Sequence, residues 1–264
     1  MKTAALILAG GKISPELSAV AEGATNRALI PLAAGRPMLD YVVDALQAGF
    51  ATAPDGGGRI LIAGDVPTPA GCVPVPGGDT LVETLLNGVG ALAPDETRLL
   101  VATSDIPFLT AESISDLLRR ADTVMPADFV YSIVEAARCK ERFPTMKRTT
   151  LRIAEGEFTG GNVVLVNPAF LRERQDVIRT AYARRKDVLR LAMLLGPSIL
   201  VRLPLSLLFP KALNIPILER AISRLLGGAR ARAVITPYPE IGVDVDKPED
   251  VAIARQALQA APTV

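Results

Sequence analysis

The sequence predicts an α/β fold, a three-layer α/β/α sandwich around a mostly parallel mixed sheet. Two observations carry that expectation. Short apolar runs that suit buried strands alternate along the 264 residues with longer stretches of helical period, which implies parallel strands joined by covering helices. The hydrophobic fraction is 49%, enough to bury a sheet on both faces. No internal repeat or long linker interrupts the pattern, so residues 1–264 read as a single domain.

The elements follow in order. Ala4–Ala9 is a first strand, apolar throughout and ended by Gly10-Gly11. Its apolar stretch is shorter than the roughly 7–15 residues of a secretory signal core, so a buried strand is the better reading. Pro37–Phe50 places Met38, Tyr41, Val42, Ala45 and Leu46 at helical spacing. Arg59–Ala63 is a short strand stopped by Gly64-Asp65. Thr80–Leu92 is a helix with Leu81, Leu85, Leu86 and Val89 inward. Arg98–Thr103 is a strand, and Thr110 caps a helix over Ala111–Ala121. Asp128–Val134, Thr150–Ile153 and Asn162–Val166 are further strands, the last one after Gly160-Gly161. Pro168–Leu195 reads as one helix with a dense basic face. Asn214 caps a helix through Leu226, ended by Gly227-Gly228. Ala233–Thr236 and Gly242–Val245 are short strands. Pro248–Ala260 is a terminal helix capped by Asp246, with Glu249 and Asp250 in its first turn. Residues from about 125 to 230 are less regular and form an insertion before the last strands.

Composition excludes much chemistry. The chain has no histidine, so Ser-His-Asp and Cys-His nucleophile pairs, His-ligated zinc and imidazole acid–base catalysis are all ruled out. Cys72 and Cys139 lie far apart and cannot make a zinc site by themselves. Catalysis must run on carboxylates, Lys and Arg, hydroxyls, backbone amides or a hard metal ion bound by oxygen. The net charge of +1 argues against nucleic acid as a partner. Few cysteines and no signal core fit a cytoplasmic location. From Leu191 to Pro210 the only charge is Arg202, but Gly196, Pro197, Pro204 and Pro210 break the stretch into pieces too short to span a membrane. With Arg184-Arg185-Lys186 beside it, residues 184–210 are a candidate for peripheral contact with a membrane surface.

Several residues suit phosphate and metal chemistry. Leu8-Ala9-Gly10-Gly11-Lys12 ends a strand in two glycines, whose amides can approach and cradle phosphates. It is neither a GxGxxG fingerprint nor a GxxxxGK[ST] loop. Asp105, in Ser104-Asp105-Ile106-Pro107, follows a strand at the edge where open α/β sheets bind ligands; as a plain turn aspartate it would need no ligand. Asp244 and Asp246 alternate along the expected last strand, so one of them faces the site, and Asp244 is preferred because Asp246 has a capping role. Gly77-Gly78-Asp79-Thr80 is a turn and helix cap that could also read a nucleobase edge through amides and the Thr80 hydroxyl. Arg138–Arg152 holds six basic residues and one acidic one, and Lys147 and Arg148 could carry an anion there; a solvated edge is the plainer alternative.

The order of these pieces resembles the MobA-like and sugar-nucleotide-type nucleotidyltransferases, which have a GT-A-like, Rossmann-like fold. Their opening pattern is roughly LAGGxGTRxxPKxLxPxxGKPM. This chain has Leu8-Ala9-Gly10-Gly11, an expanded loop from Lys12 to Thr25, and then Asn26-Arg27-Ala28-Leu29-Ile30-Pro31 leading to Gly35-Arg36-Pro37-Met38. Ser104–Thr110 is similar to the family's D-x-P segment. Gly160-Gly161-Asn162 is similar to its GGN, and Val243–Asp250 to its D-[IV]-[DN]-x-P-E-D.

The resemblance implies a Mg²⁺-dependent enzyme that moves an NMP group from an NTP to a small phosphorylated acceptor and releases pyrophosphate. It implies Asp105 and Asp244 as metal ligands, Lys12, Arg27 and Asp105 as catalytic residues, and Leu8, Ala9, Gly10, Gly11, Gly77, Gly78 and Thr80 around the nucleotide. Lys147, Arg148, Gly160, Gly161 and Asn162 would then face the acceptor, with 125–230 as an acceptor-side insertion. One departure stands out. Arg27 occupies the place of a family lysine, and the family's loop arginine has no counterpart except Lys12. That departure keeps open a degenerate nucleotide-binding protein. A nucleotide-sugar-dependent glycosyltransferase of the same fold is the other alternative, although the D-x-D it needs is absent after the central strand.

Overall fold

The computed structural model describes residues 2–53, 55–183 and 195–260. Eight strands form one sheet: β1 (Lys2–Leu8), β2 (Ile60–Ala63), β3 (Cys72–Val75), β4 (Glu96–Thr103), β5 (Phe129–Glu135), β6 (Leu151–Ile153), β7 (Gly156–Val166) and β8 (Ala231–Thr236). Their order is β3-β2-β1-β4-β7-β5-β8, with β6 hairpinned onto β7. Neighbours pair in parallel except where β7 meets β4, β5 and β6. The mostly parallel mixed sheet expected from the sequence is therefore present.

Helices cover both faces. They are α1 (Met38–Ala51), α2 (Leu81–Gly90), α3 (Ala111–Thr123), α4 (Ala136–Arg142), α5 (Pro168–Glu173), α6 (Gln175–Ala183), α7 (Pro197–Leu208), α8 (Ile215–Leu225) and α9 (Pro248–Ala260). Side chains alternate across β1, so Ala5 and Ile7 pack with Val42 and Leu46 of α1, Ile114 of α3 and Val251 of α9. Ala4 and Leu6 pack on the opposite face with Val89 of α2 and Phe170 of α5. Further along that face, Ile153 and Phe158 of the β6–β7 hairpin meet Ile199 of α7 and Ala221 of α8.

The helix starts follow their sequences. Thr80 and Thr110 each accept from the amide three residues on and close reciprocal capping boxes with Glu83 and Ser113. The Asn214 side chain accepts from the Ile217 amide.

Three expectations need correction. The helix expected over Pro168–Leu195 breaks at Arg174, where φ and ψ of −118° and 28° separate α5 from α6. Residues 184–194, including Arg184-Arg185-Lys186, lie outside the described residues. Gly160-Gly161 does not precede a strand but lies inside the 11-residue β7. Gly242–Val245 is no strand: it leaves a 3₁₀ turn over Pro239–Gly242 and joins no ladder among the described residues. Two further elements carry little signal in the sequence. β3 is an edge strand carrying Pro74, which edges tolerate, and α4 is hidden within the basic run. Among the described residues no helix is long and apolar enough to cross a membrane.

Candidate active site

Parallel pairing of Leu8 with Thr103 brings the ends of β1 and β4 to one edge of the sheet. There Gly10, Gly11, Lys12, Arg27, Gly78, Thr80 and Asp105 surround a cavity of about 330 Å³. Asn26 shapes the glycine loop: its Nδ2 donates to the Ala9 carbonyl at 2.8 Å and its Oδ1 accepts from the Ala28 amide at 2.9 Å. The Arg27 amide donates to the Gly11 carbonyl at 2.9 Å. Asn26 was no sequence candidate, although its place beside Arg27 in the motif was the available clue. The expanded loop is folded as well. Arg255 of α9 holds it by donating to the Val20 carbonyl at 2.9 Å and pairing with Glu22 at 2.8 Å.

The turn before α2 is locked onto the helix. The Gly78 amide donates to Thr84 Oγ1 at 3.0 Å and the Thr80 amide to Glu83 Oε2 at 3.1 Å. Those two amides are therefore engaged within the protein. Gly78 is needed for close approach, because a Cβ there would come to 3.0 Å from both the Glu83 carbonyl carbon and the Thr84 nitrogen. Two proposed nucleotide-side residues do not line the cavity. Ala9 is fully buried, and Gly77 packs near Gly64.

Beside this cavity stand three carboxylates. One oxygen each of Asp105, Asp244 and Asp246 lie within 4.8 Å of one another. A backbone bond from the Val245 amide to the Asp105 carbonyl, at 2.8 Å, splices the two segments together. The rule that alternate residues face opposite ways holds for a strand in a ladder. The 243–246 segment has no ladder partner, so Asp244 and Asp246 both join the cluster. Asp246 is not the cap of α9 either. Asp250 Oδ2 accepts from the Asp246 and Lys247 amides at 3.2 and 3.0 Å, leaving the Asp246 carboxylate to pair with Arg27.

The charges in the cluster do not balance. Arg27 Nη1 lies 2.9 Å from Asp105 Oδ2 and also pairs with Asp246, while Arg148 pairs with Asp244. Three carboxylates thus face two guanidiniums. Burial pushes the Asp105 carboxyl above its ordinary range, against the pull of Arg27. Asp105 Oδ1 is buried with no hydrogen-bond partner. An all-oxygen cluster with surplus negative charge and an unpartnered oxygen fits a hard divalent cation such as Mg²⁺.

A second cavity, of about 700 Å³, opens between α4, the Pro144–Thr150 loop and the β6–β7 turn. Lys147 and Arg148 line it, and Arg148 reaches from it to Asp244. The GGN residues lie elsewhere. Gly160 lines a separate apolar cavity, and a Cβ on it would run into the Tyr131 hydroxyl. Gly161 is buried against Ser132 and Ile241, which leave no room for a side chain. These glycines let β5 side chains pack beneath β7. Asn162 Nδ2 is buried without a hydrogen-bond partner.

Comparison with known proteins decides the family. Residues 5–235 match the model of the MobA-like NTP transferase domain. The chain belongs to the MobA-like NTP transferase family. It is therefore a nucleotidyltransferase, and the glycosyltransferase alternative falls away. A structure described as a hypothetical transferase from Thermus thermophilus is 37% identical, with a TM-score of 0.80 over 95% of this chain and all of that one. Two more distant structures share the fold of this MobA-like chain. The 2-C-methyl-D-erythritol 4-phosphate cytidylyltransferase of Thermus thermophilus is 16% identical, with a TM-score of 0.53 over 98% of this chain and 100% of that chain. The 4-diphosphocytidyl-2C-methyl-D-erythritol synthase of Anaerococcus prevotii is 11% identical, with a TM-score of 0.58 over 98% of each chain. A search of curated proteins returned no match.

Proposed function

We propose that this MobA-like nucleotidyltransferase moves an NMP group from an NTP to a small phosphorylated acceptor, releasing pyrophosphate, with Mg²⁺ at the acidic cluster. The observation that carries this reading is the cluster's position. It is tied through Arg27 to the cavity at the glycine loop, and through Arg148 to the larger cavity. Asp105 and Asp244 would hold the ion, with Asp246 as a third carboxylate. When bound, Mg²⁺ supplies Lewis-acid polarisation and charge neutralisation.

The chain's own residues do the rest. Gly10 and Gly11 keep the loop beside the cavity free of side chains, while Lys12 and Arg27 offer positive charge to the phosphates. Lys147 and Arg148 offer charge to the acceptor from the region around 125–230. An acceptor that is already an anionic phosphate needs no general base, which suits a chain without histidine. On the same acceptor side, α7 exposes Val201, Leu205, Leu207 and Leu208, and Phe209 follows. We take this face, within the 184–210 segment, as a peripheral contact with an anionic membrane.

The test is pyrophosphate release from each of the four NTPs with a panel of phosphorylated acceptors, read beside the Tm shift that each NTP gives with Mg²⁺. A Tm shift for one NTP and acceptor-dependent pyrophosphate are expected. If no NTP shifts Tm, the nucleotide site is misplaced.

A further inference from the structure

An apolar cavity of about 260 Å³ lies between the sheet and α8. Phe129, Tyr131, Ile133 and Phe158 form its floor, and Leu218 and Ile222 of α8 its roof. Its charged lining residues are engaged: Glu219 Oε1 accepts from the Ala233 amide at 2.8 Å, and Arg232 Nη1 donates to the Ala231 carbonyl at 3.0 Å. Its volume is below the several hundred Å³ usual for whole drug-sized ligands and suits a segment of hydrocarbon.

Phe158 also lines the 700 Å³ cavity, so the two cavities abut at that ring. The larger cavity has unspent positive charge. Glu135 pairs with Arg138 and Glu157 with Arg152, while Glu155 accepts from the Ile215 amide and keeps its negative charge. Arg148 pairs with Asp244, and Lys140 and Lys147 have no ion pair among the described residues, so the two lysines outweigh Glu155 and leave a small positive surplus. A cationic cavity and an apolar one thus share a wall. The apolar character continues outward, because Ile199 and Leu203 of α7 pack in one cluster with Ile153, Phe158 and Leu218. The outer side of α7 exposes Leu207 and Leu208 at 74% and 78%.

We infer that the acceptor is a phosphorylated amphiphile, its phosphate held by Lys147 and Arg148 and its hydrocarbon chain lodged past Phe158 in the apolar cavity under α8. The inference rests on the larger cavity being the acceptor side of the proposed reaction. A phosphorylated acceptor without a hydrocarbon chain would leave the apolar cavity without a role. An acceptor with a chain uses both cavities, and burying its methylenes supplies affinity.

The test needs neither NTP nor metal. Butyl phosphate and decyl phosphate, both below their aggregation concentrations, are titrated calorimetrically into the full chain. Decyl phosphate should bind at least about tenfold more tightly than butyl phosphate. Ala233→Leu and Ile222→Phe each add bulk to the cavity wall and should remove that gain while leaving butyl phosphate unchanged; Lys147→Ala should weaken both probes. Equal affinity for the two chain lengths would overturn the inference, as would a gain that survives in both folded cavity-filling variants. Vesicles of phosphatidic acid form a second arm. Binding that the cavity-filling variants lose makes a bilayer lipid the source, and binding of monomeric decyl phosphate alone makes it a free amphiphile. NTP-dependent Tm shifts on the same samples separate the two proposals: loss of the chain-length gain with NTP shifts intact sinks only the amphiphile, and the reverse sinks only the transferase site.

Discussion

Asp105→Asn separates function from stability at the acidic cluster. The substitution keeps the side-chain shape and removes one negative charge. With three carboxylates facing two guanidiniums, it leaves the cluster neutral and without net attraction for a divalent cation. Turnover should fall by about 10²–10³, the usual cost of losing one preorganised electrostatic group. Stability should not fall with it. Burial raises the folded-state pKa of Asp105, with Arg27 offsetting this only in part. A group raised in this way favours folding below its unfolded pKa, and that contribution is lost as pH rises through the folded pKa. Above the folded pKa the ionised carboxylate therefore burdens the fold, and its unpartnered Oδ1 adds to the cost. The variant lifts that burden but weakens the bond from Arg27, so the net should lie between no change and a gain of about 2 kcal/mol. In a chain of this size each 1 kcal/mol moves Tm by roughly 2–4 °C. Scanning fluorimetry of metal-free protein, scanned upward from the ordinary carboxylate range, should show the variant's advantage growing with pH. Added Mg²⁺ should stabilise the wild type and not the variant. A loss of more than about 2 kcal/mol near neutral pH, or near-normal turnover, would refute the reasoning.

Glu96→Gln should behave in the opposite way. Glu96 is buried and accepts from Arg59 Nε at 2.9 Å, Arg59 Nη2 at 2.6 Å and the Ala93 amide at 2.7 Å. Burial pushes its carboxyl up, but these bonds outweigh burial and hold it below its ordinary value. Its stabilisation is present above the unfolded pKa and lost as pH falls through the folded one, so the variant should cost about 2 kcal/mol at neutral pH and less in acid, as chemical denaturation would show, with NTP binding unchanged. Gly78→Ala should push the α2 turn away from Glu83 and Thr84 and weaken NTP-dependent thermal shifts more than it lowers the unliganded Tm. Combined Leu207→Ser, Leu208→Ser and Phe209→Ser should abolish sedimentation with anionic vesicles and leave Tm within about 2 °C, because exposed side chains contribute little to the core; unchanged sedimentation would remove α7 as the contact.

Most of the sheet was legible because both faces of its central strands are buried. Ala4–Leu8, Ile60–Ala63 and Leu99–Ala102 carry the continuous apolar runs that burial on two faces requires. Helix starts were legible where Thr80, Thr110 and Asn214 cap them. β3 was not, because an edge strand holding Pro74 lacks both the apolar run and the full ladder. The break at Arg174 was not, because nothing in its local composition forbids a helix. It is tertiary packing that places Phe170 and Leu171 on the sheet and then turns the chain toward α2.

The acidic cluster shows where periodicity stops being informative. An alternation rule applied to Val243-Asp244-Val245-Asp246 assigns one carboxylate to the site and turns the other away. It handles the valines well, since Val243 and Val245 are both fully buried. It fails for the aspartates because hydrogen bonding, not a ladder, sets this backbone: Val245 is tied to Asp105 and the next two amides to Asp250. That splice lets both carboxylates meet Asp105. Arg27, standing where a family lysine is expected, meets two of them through one nitrogen, Nη1. A lysine ammonium also donates from one nitrogen, but it ends one atom nearer the backbone and reaches less far. Arg27→Lys should therefore lose the bridge to Asp246 while keeping a cation beside the cavity. If that variant gains Mg²⁺ affinity, measured by titration calorimetry, the arginine competes with the ion for the carboxylates. If it loses affinity, the bridge is what holds the cluster together, and the departure from the family pattern is a positioning device.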